Sequence, residues 1–199
     1  MANVKKPVSA AALKTKRRSP ITRAEGEKRL IDASIELLLE RPFKDVGVRD
    51  IALRADVNHG FVHTWFGSKE DLFIAALKQV LTTISENLAA MTGAQLSAVP
   101  FDPHTQLAIK LTTWLKLEGV DLKTAFTSHP VNEALAHRYV TQLGMRPDIA
   151  TIASRQTVSF IMAMVMFGDM FDIEGPEALS VMLRQWTHTV GLLAKHPPA

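Results

Sequence analysis

Apolar residues recur at intervals of three and four along most of this chain, the spacing that gives an α-helix one oily face. The first set is Leu30, Ile31, Ile35, Leu38 and Leu39. It follows Thr22 and Glu25, which stand in capping-box spacing, and it ends before Pro42. Two short helical segments, Val48–Arg54 and Asn58–Phe66, come next. Ser68, with Asp71 three residues on, opens a longer helix. That helix carries Leu72, Phe73, Ala76, Leu77, Val80, Leu81, Ile84 and Leu88 and fades near Gly93. Asp102-Pro103 reads as a cap followed by proline at the first helical position. Further segments are expected at about 103–118, 121–127, 130–143, 147–171 and 176–194. No strand-like alternation or hairpin dipeptide stands out, so the pattern predicts an all-α chain of about nine helices without a repeat.

Composition adds limits. The chain has 199 residues, 47% hydrophobic and 22% charged, which allows one large domain or two small ones around a sizeable core. It has no Cys, which excludes disulfides and thiolate metal sites and fits a reducing compartment. No run reaches the roughly 18 apolar residues that a membrane span needs. The most apolar stretch, Val158 to Gly168, reads as a buried helix, and no membrane partner is expected. The apolar piece Val8 to Leu13 is too short for a signal peptide. A cytoplasmic location is expected.

Charge is unevenly spread. Residues 1–29 carry nine Lys/Arg against Glu25 and Glu27, a local net charge of +7. Residues 72–199 carry nine Lys/Arg and ten Asp/Glu and are close to neutral. Residues 1–22, with Lys14, Lys16, Arg17 and Arg18 clustered and few large apolar groups, read as a disordered basic arm suited to a polyanion.

The two short segments behind that arm have helix-turn-helix logic. Val48, Ile51, Ala52 and Ala55 form one apolar face, and the small Ala52 lets a second helix cross closely. Asp56 falls at the turn, where a left-handed conformation is needed and Asp is among the few non-glycine residues that tolerate it. Val57 plugs the core, and Asn58 is a good cap for the second helix. Val62 and Phe66 point inward, which leaves His59, Gly60, Phe61, His63 and Trp65 largely outward. Phe61 and Trp65 would meet thymine methyls or half-pack against the first helix of the domain. His59 and His63 have the i, i+4 spacing of some metal pairs, but no third ligand is evident and no metal or cofactor is assigned.

The residues Ile51-Ala52, Ala55, Val57, Gly60, Phe66, Ser68-Lys69-Glu70 and Leu72 stand in one register that resembles the DNA-binding region of the TetR family of transcriptional regulators. The resemblance covers about residues 24–80. It implies a three-helix DNA-binding domain at 23–70 and a helical ligand-binding and dimerisation domain at 71–199. The chain departs from the family pattern at five places. Gly47 or Val48 replaces a threonine, leaving a backbone N–H but no hydroxyl for a phosphate. Asp56 replaces a turn glycine, Asn58 a serine cap and His63 a tyrosine, and Trp65 fills the next aromatic position. The resemblance implies a major-groove surface of Asn58, His59, Gly60, Phe61, His63, Thr64 and Trp65. It also implies a base contact from Arg49 and a phosphate contact from Lys69.

For the second half, the resemblance implies a homodimer on a palindromic DNA operator, paired through the last two helices, about 147–194. It also implies an effector-controlled repressor of a bacterial nucleoid. Residues 152–171 are apolar nearly all round, and Leu179, Met182, Leu183, Trp186, Val190 and Leu193 recur at helical spacing. Candidate effector-pocket residues are Met91, Phe101, Trp114, Leu115, Phe126, Phe160 and Met164, with His104, His129 and Asp169 for polar specificity. The eight methionines suit an adaptable cavity and a small hydrophobic effector. An enzyme is not expected, because no nucleophile elbow, zinc-helix, P-loop or dinucleotide motif occurs. The other reading is a DNA-binding regulator without a ligand, controlled by abundance or a protein partner.

Overall fold

The computed structural model describes residues 21–91, 93–96, 98–173 and 175–196. The basic cluster Lys14, Lys16, Arg17 and Arg18 lies outside the described residues. The described residues form helices joined by turns and loops, with no strand among them. The helices are α1 (Arg23–Glu40), α2 (Val48–Arg54), α3 (Gly60–Trp65), α4 (Lys69–Ala90), α5 (Gly93–Leu96), α6 (Pro103–Leu117), α7 (Leu122–Ala125), α8 (Pro130–Leu143), α9 (Pro147–Phe167) and α10 (Gly175–Lys195). Three 3-10 turns, at Phe43–Asp45, Val99–Phe101 and Gly168–Phe171, punctuate them.

The predicted caps form, with one change. Ser68 Oγ accepts from the Asp71 N–H at 2.9 Å, and Asp102 Oδ2 accepts from the Thr105 N–H at 2.8 Å. Thr22 Oγ1 accepts from the Glu25 N–H at 3.2 Å, but the Glu25 carboxylate turns to Arg29 instead of back to the cap. The first capping box is therefore half made. The stripe that α1 buries matches the expected one at Leu30, Ile35 and Leu38 and departs from it at Leu39. Leu30, Ala33, Ser34, Leu37 and Leu38 are buried, and Leu39 is 41% exposed. A turn of 3.6 residues carries position 39 out of the arc that 30, 34 and 37 share.

One continuous apolar core runs from Leu30 of α1 through Ile51, Val62, Phe73 and Leu77 to Leu111 and Leu115 of α6. Helix α4 carries it from the N-terminal helices into the body of the molecule. Its far end is held by Arg138 of α8, which is 4% exposed. Nη1 of Arg138 donates to the carbonyls of Leu88 and Met91, each at 2.8 Å, and Nη2 donates to Gln142 Oε1 at 3.0 Å. A cation on the last carbonyls of a helix is favoured by the helix dipole and supplies partners that the helix itself cannot.

A second, smaller core joins α8, α9 and α10 around Met145, Ile149, Ala150, Ala153 and Val190. The Thr157 hydroxyl is its polar hub. It donates to the Ala153 carbonyl at 2.9 Å, so both lone pairs are left to accept. Trp186 Nε1–H and the Tyr139 phenol fill them, each at 2.9 Å. Burial pushes the Tyr139 phenol above its ordinary pKa, which keeps it a donor.

The stretch expected to be a buried helix has the expected length but is barer than its sequence suggested. Pro147–Phe171 is a 25-residue helical span whose most apolar 18-residue window has mean hydropathy 1.4 and is only 28% buried. By length and composition alone it is sufficient to cross a membrane. Ile152, Phe167, Met170 and Phe171 stand exposed along it, Met170 by 74%. The periodicity marked an oily helix correctly but did not show that most of its surface lacks cover within one chain.

Candidate nucleic-acid interface

The turn between α2 and α3 follows directly from its residues. Asp56 takes a left-handed conformation with φ 52°. The Val57 N–H then closes on the Ala52 carbonyl at 2.9 Å, and Val57 enters the core. Asn58 Oδ1 accepts from the Gly60 N–H at 2.9 Å and caps the start of α3. Val62 is fully buried, while Asn58, His59, Gly60, Phe61, His63 and Thr64 are exposed. Helix α3 thus turns a nearly continuous polar and aromatic face to solvent.

Helix α2 is fixed on both sides. The Arg54 guanidinium meets Glu40 of α1 through two bonds, at 2.9 and 2.8 Å, and Glu36 at 3.0 Å. The fork geometry holds the Glu40 carboxyl below its ordinary range and raises the Arg54 guanidinium further. Asp50 accepts from the Gly47 N–H at 3.4 Å and lies 3.5 Å from Arg41. The Gly47 N–H, expected to be available to a phosphate, is therefore already occupied. The carboxylate that occupies it sits three residues on in the sequence. Arg49, in the first turn of α2, is exposed and makes no ion pair among the described residues.

Two residues of the expected DNA surface turn toward the protein. Trp65 is half-buried against α1, the second of the two placements expected for it. A Cβ on Gly26 would lie 2.5 Å from Trp65 Cη2, so the indole lies directly on glycine backbone. Phe61 stacks on the indole, with ring centroids 4.3 Å apart and planes 4° from parallel. Phe61 is the member of that stack that reaches solvent, and Trp65 anchors it. Lys69 is half-buried, with Nζ 5.5 Å from the ring centroids of both Phe73 and Trp114. Its charge lies over two aromatic faces and not on an open phosphate position. Trp114 also meets Phe43 edge-on, with centroids 6.2 Å apart, so α6 joins this aromatic group. Sequence spacing pairs Lys69 with Phe73, but nothing local could bring Trp114 to them.

The family model for bacterial regulatory proteins of the tetR family matches residues 30–76, which hold most of this geometry. A helix-turn-helix transcriptional repressor of Mycobacterium tuberculosis is 28% identical over 139 residues, covering 68% of this chain and 72% of that protein. The regulator BetI of Brucella anthropi is 35% identical over 105 residues, covering 48% of this chain and 52% of that protein. Residues 30–76 therefore carry a TetR-type DNA-binding domain. The fold agrees beyond the matched region. A transcriptional regulator from Rhodococcus superposes with a TM-score of 0.62 at 19% identity, covering 79% of this chain and 92% of that one. The TetR-family repressor AlkX of Dietzia superposes with a TM-score of 0.55 at 16% identity, covering 85% and 94%. A helix-turn-helix domain of this type makes the protein a DNA-binding transcriptional regulator rather than an enzyme.

The sequence-predicted effector residues separate into different places. Phe101 and Met164 share a groove of about 460 Å³ between the start of α6, the end of α9 and the start of α10. Asp169 lies on the same groove. Phe126 borders a smaller recess of about 260 Å³ and lies 5.7 Å beneath Lys78 Nζ. The other four are structural. Leu115 is fully buried in the main core, and Met91 ends α4 and gives its carbonyl to Arg138. Trp114 belongs to the Lys69 group, and Phe160 stacks on Trp186 with centroids 4.9 Å apart. His104 and His129 are exposed and line neither cavity. Large apolar residues at helical spacing serve packing more often than ligands, and only tertiary structure separates the two.

Proposed function

We propose that two copies of this regulator pair through α9 and α10 and read a palindromic operator with their two α3 helices, repressing transcription until a small effector binds. The observation that carries the reading is the face of α3. Asn58, His59, Gly60, Phe61, His63 and Thr64 are exposed on a helix whose one buried residue, Val62, locks it to the core. Such a face, with Arg49 beside it on α2, fits a major groove. Residues 23–70 read DNA in this scheme, and the helices beyond 71 hold the partner copy and the effector. Lys69 adds a phosphate contact when it leaves its aromatic rings.

Pairing is supported by Ile152, Phe167, Met170, Phe171, Val181 and Leu192, large apolar residues exposed on and between the last two helices. Lipid is a poorer partner for this surface. Arg155 and Gln156 are exposed inside the same span, and a charge at mid-bilayer costs about 2.5–3.5 kcal/mol on insertion scales. A bacterial regulator of this kind acts in the cytoplasm, on the nucleoid.

Pairing sets the spacing that a palindrome requires, with two recognition helices roughly 34–36 Å apart. An effector releases DNA if it favours a different spacing, by differential affinity for the two arrangements. The test is selection of bound DNA from a random pool, together with sedimentation of the full chain. A two-fold symmetric site and a dimer are expected. An asymmetric single site bound by a monomer overturns the reading.

A further inference from the structure

The groove that Phe101 and Met164 share has a chemical bias that narrows the class of effector, an inference that rests on the effector-controlled reading of this regulator. Its volume of about 460 Å³ suits a drug-sized molecule. Besides Phe101 and Met164, its apolar walls include Met166, Ile173 and Leu179. Against them stands one ionisable group, the Asp169 carboxylate, with Gln106 as the side-chain amide. No Lys, Arg or His lines the groove among the described residues. Asp169 Oδ1 accepts only from the neighbouring Met170 N–H, at 3.0 Å, and Asp169 makes no ion pair among the described residues. The sequence 169–177 contains four carboxylic residues and no basic one.

An apolar molecule settling into this groove removes water from Asp169. Desolvating a carboxylate without a partner is costly, and a second negative charge adds repulsion. A ligand that brings its own positive charge offsets both effects. Phe101 and the two thioethers are polarisable surfaces that favour a soft, delocalised cation over a small hydrated one. We infer that this groove takes bulky hydrophobic cations and rejects hydrophobic anions such as fatty or aromatic carboxylates, with Asp169 as the discriminating residue.

The experiment uses tetraphenylphosphonium and tetraphenylborate, nearly the same shape with opposite charge. Binding of each to the full chain is measured by titration calorimetry and by the shift in melting temperature, with no DNA present. The phosphonium is expected to bind at one per chain, at least tenfold tighter than the borate. Asp169→Asn is expected to erase that preference while leaving the melting temperature of the free protein unchanged. Equal or tighter binding of the borate overturns the inference, as does a preference that survives Asp169→Asn. Operator binding is then measured with the phosphonium present. Asp169-dependent binding without loss of DNA supports the ligand class and overturns the effector role, so the two readings fail separately.

Discussion

Replacing Trp114 by Leu removes one of the two rings beneath Lys69 while keeping an apolar side chain in the aromatic group. Each ring lies 5.5 Å from the Lys69 nitrogen. At a half-buried site such a contact is worth about 0.5–1 kcal/mol. A phosphate contact by Lys69 requires the ammonium to leave both rings, so the pair opposes DNA binding by roughly 1–2 kcal/mol. Removing Trp114 relieves about half of that, which corresponds to DNA binding tighter by about two- to fivefold. The change also thins the packing against Phe43 and Phe73, at an expected stability cost of about 1–3 kcal/mol. Affinity is measured by fluorescence anisotropy on labelled duplex at several salt concentrations. The native chain, Trp114→Leu, Lys69→Ala and the double variant form one cycle. The expected result is a gain for Trp114→Leu that vanishes when Lys69 is Ala. Lys69→Ala should flatten the salt slope by about 0.9 in the Trp114→Leu background, the value for one phosphate. The same gain in both backgrounds would refute the argument, since Trp114 would then act through something other than the Lys69 charge.

Gly26→Ala puts a Cβ 2.5 Å from Trp65 Cη2, and the ring must move. Helix propensity gains up to about 1 kcal/mol, so stability should change little while DNA affinity falls at least tenfold as the Phe61–Trp65 stack shifts. Undiminished affinity in the anisotropy assay would show that Trp65 does not position α3. Thr157→Val leaves the Tyr139 phenol and the Trp186 indole N–H without their acceptor. Two unsatisfied, partly buried donors should lower stability by about 2–4 kcal/mol in urea unfolding at fixed protein concentration, and an unchanged midpoint would dismiss the hub. Arg54→Ala should lose stability at neutral pH. The Glu40 pKa is depressed in the folded state, so the contribution exists above its ordinary value of 4.5 and fades as pH falls through the lower folded value. The gap between native and variant melting temperatures should therefore close below about pH 4. A gap that stays constant to about pH 3 would assign the loss to packing rather than charge.

Where local chemistry decides conformation, the sequence was a sufficient guide. A left-handed turn needs Gly, Asn or Asp, and Asp56 adopts it. A helix start needs an oxygen for its free N–H groups, and Asn58, Ser68 and Asp102 supply one. The buried positions Ile51, Ala52, Val57 and Val62 follow from a period of 3.6 and recur in one family register. These features set the helix-turn-helix, and with it the class of the protein.

Contacts between distant segments were not legible, because no local rule says which helix will face which. Trp65 and Phe61 are equally outward on a helical wheel, yet only the glycine at position 26 gives the indole a place to lie. Lys69 lies one helical turn from Phe73, but α6 brings Trp114 over it from across the fold. Arg138 looks like one more surface cation until the end of α4 arrives to take its donors. Phe101 and Met164, far apart in the chain, become walls of one groove, while Leu115 of the same apolar type disappears into the core. The sequence alone determined the frame of the DNA-binding motif, since turn and cap chemistry is local. Only the tertiary structure decided which side chains of that frame face outward, because burial belongs to pairs of surfaces and not to single residues.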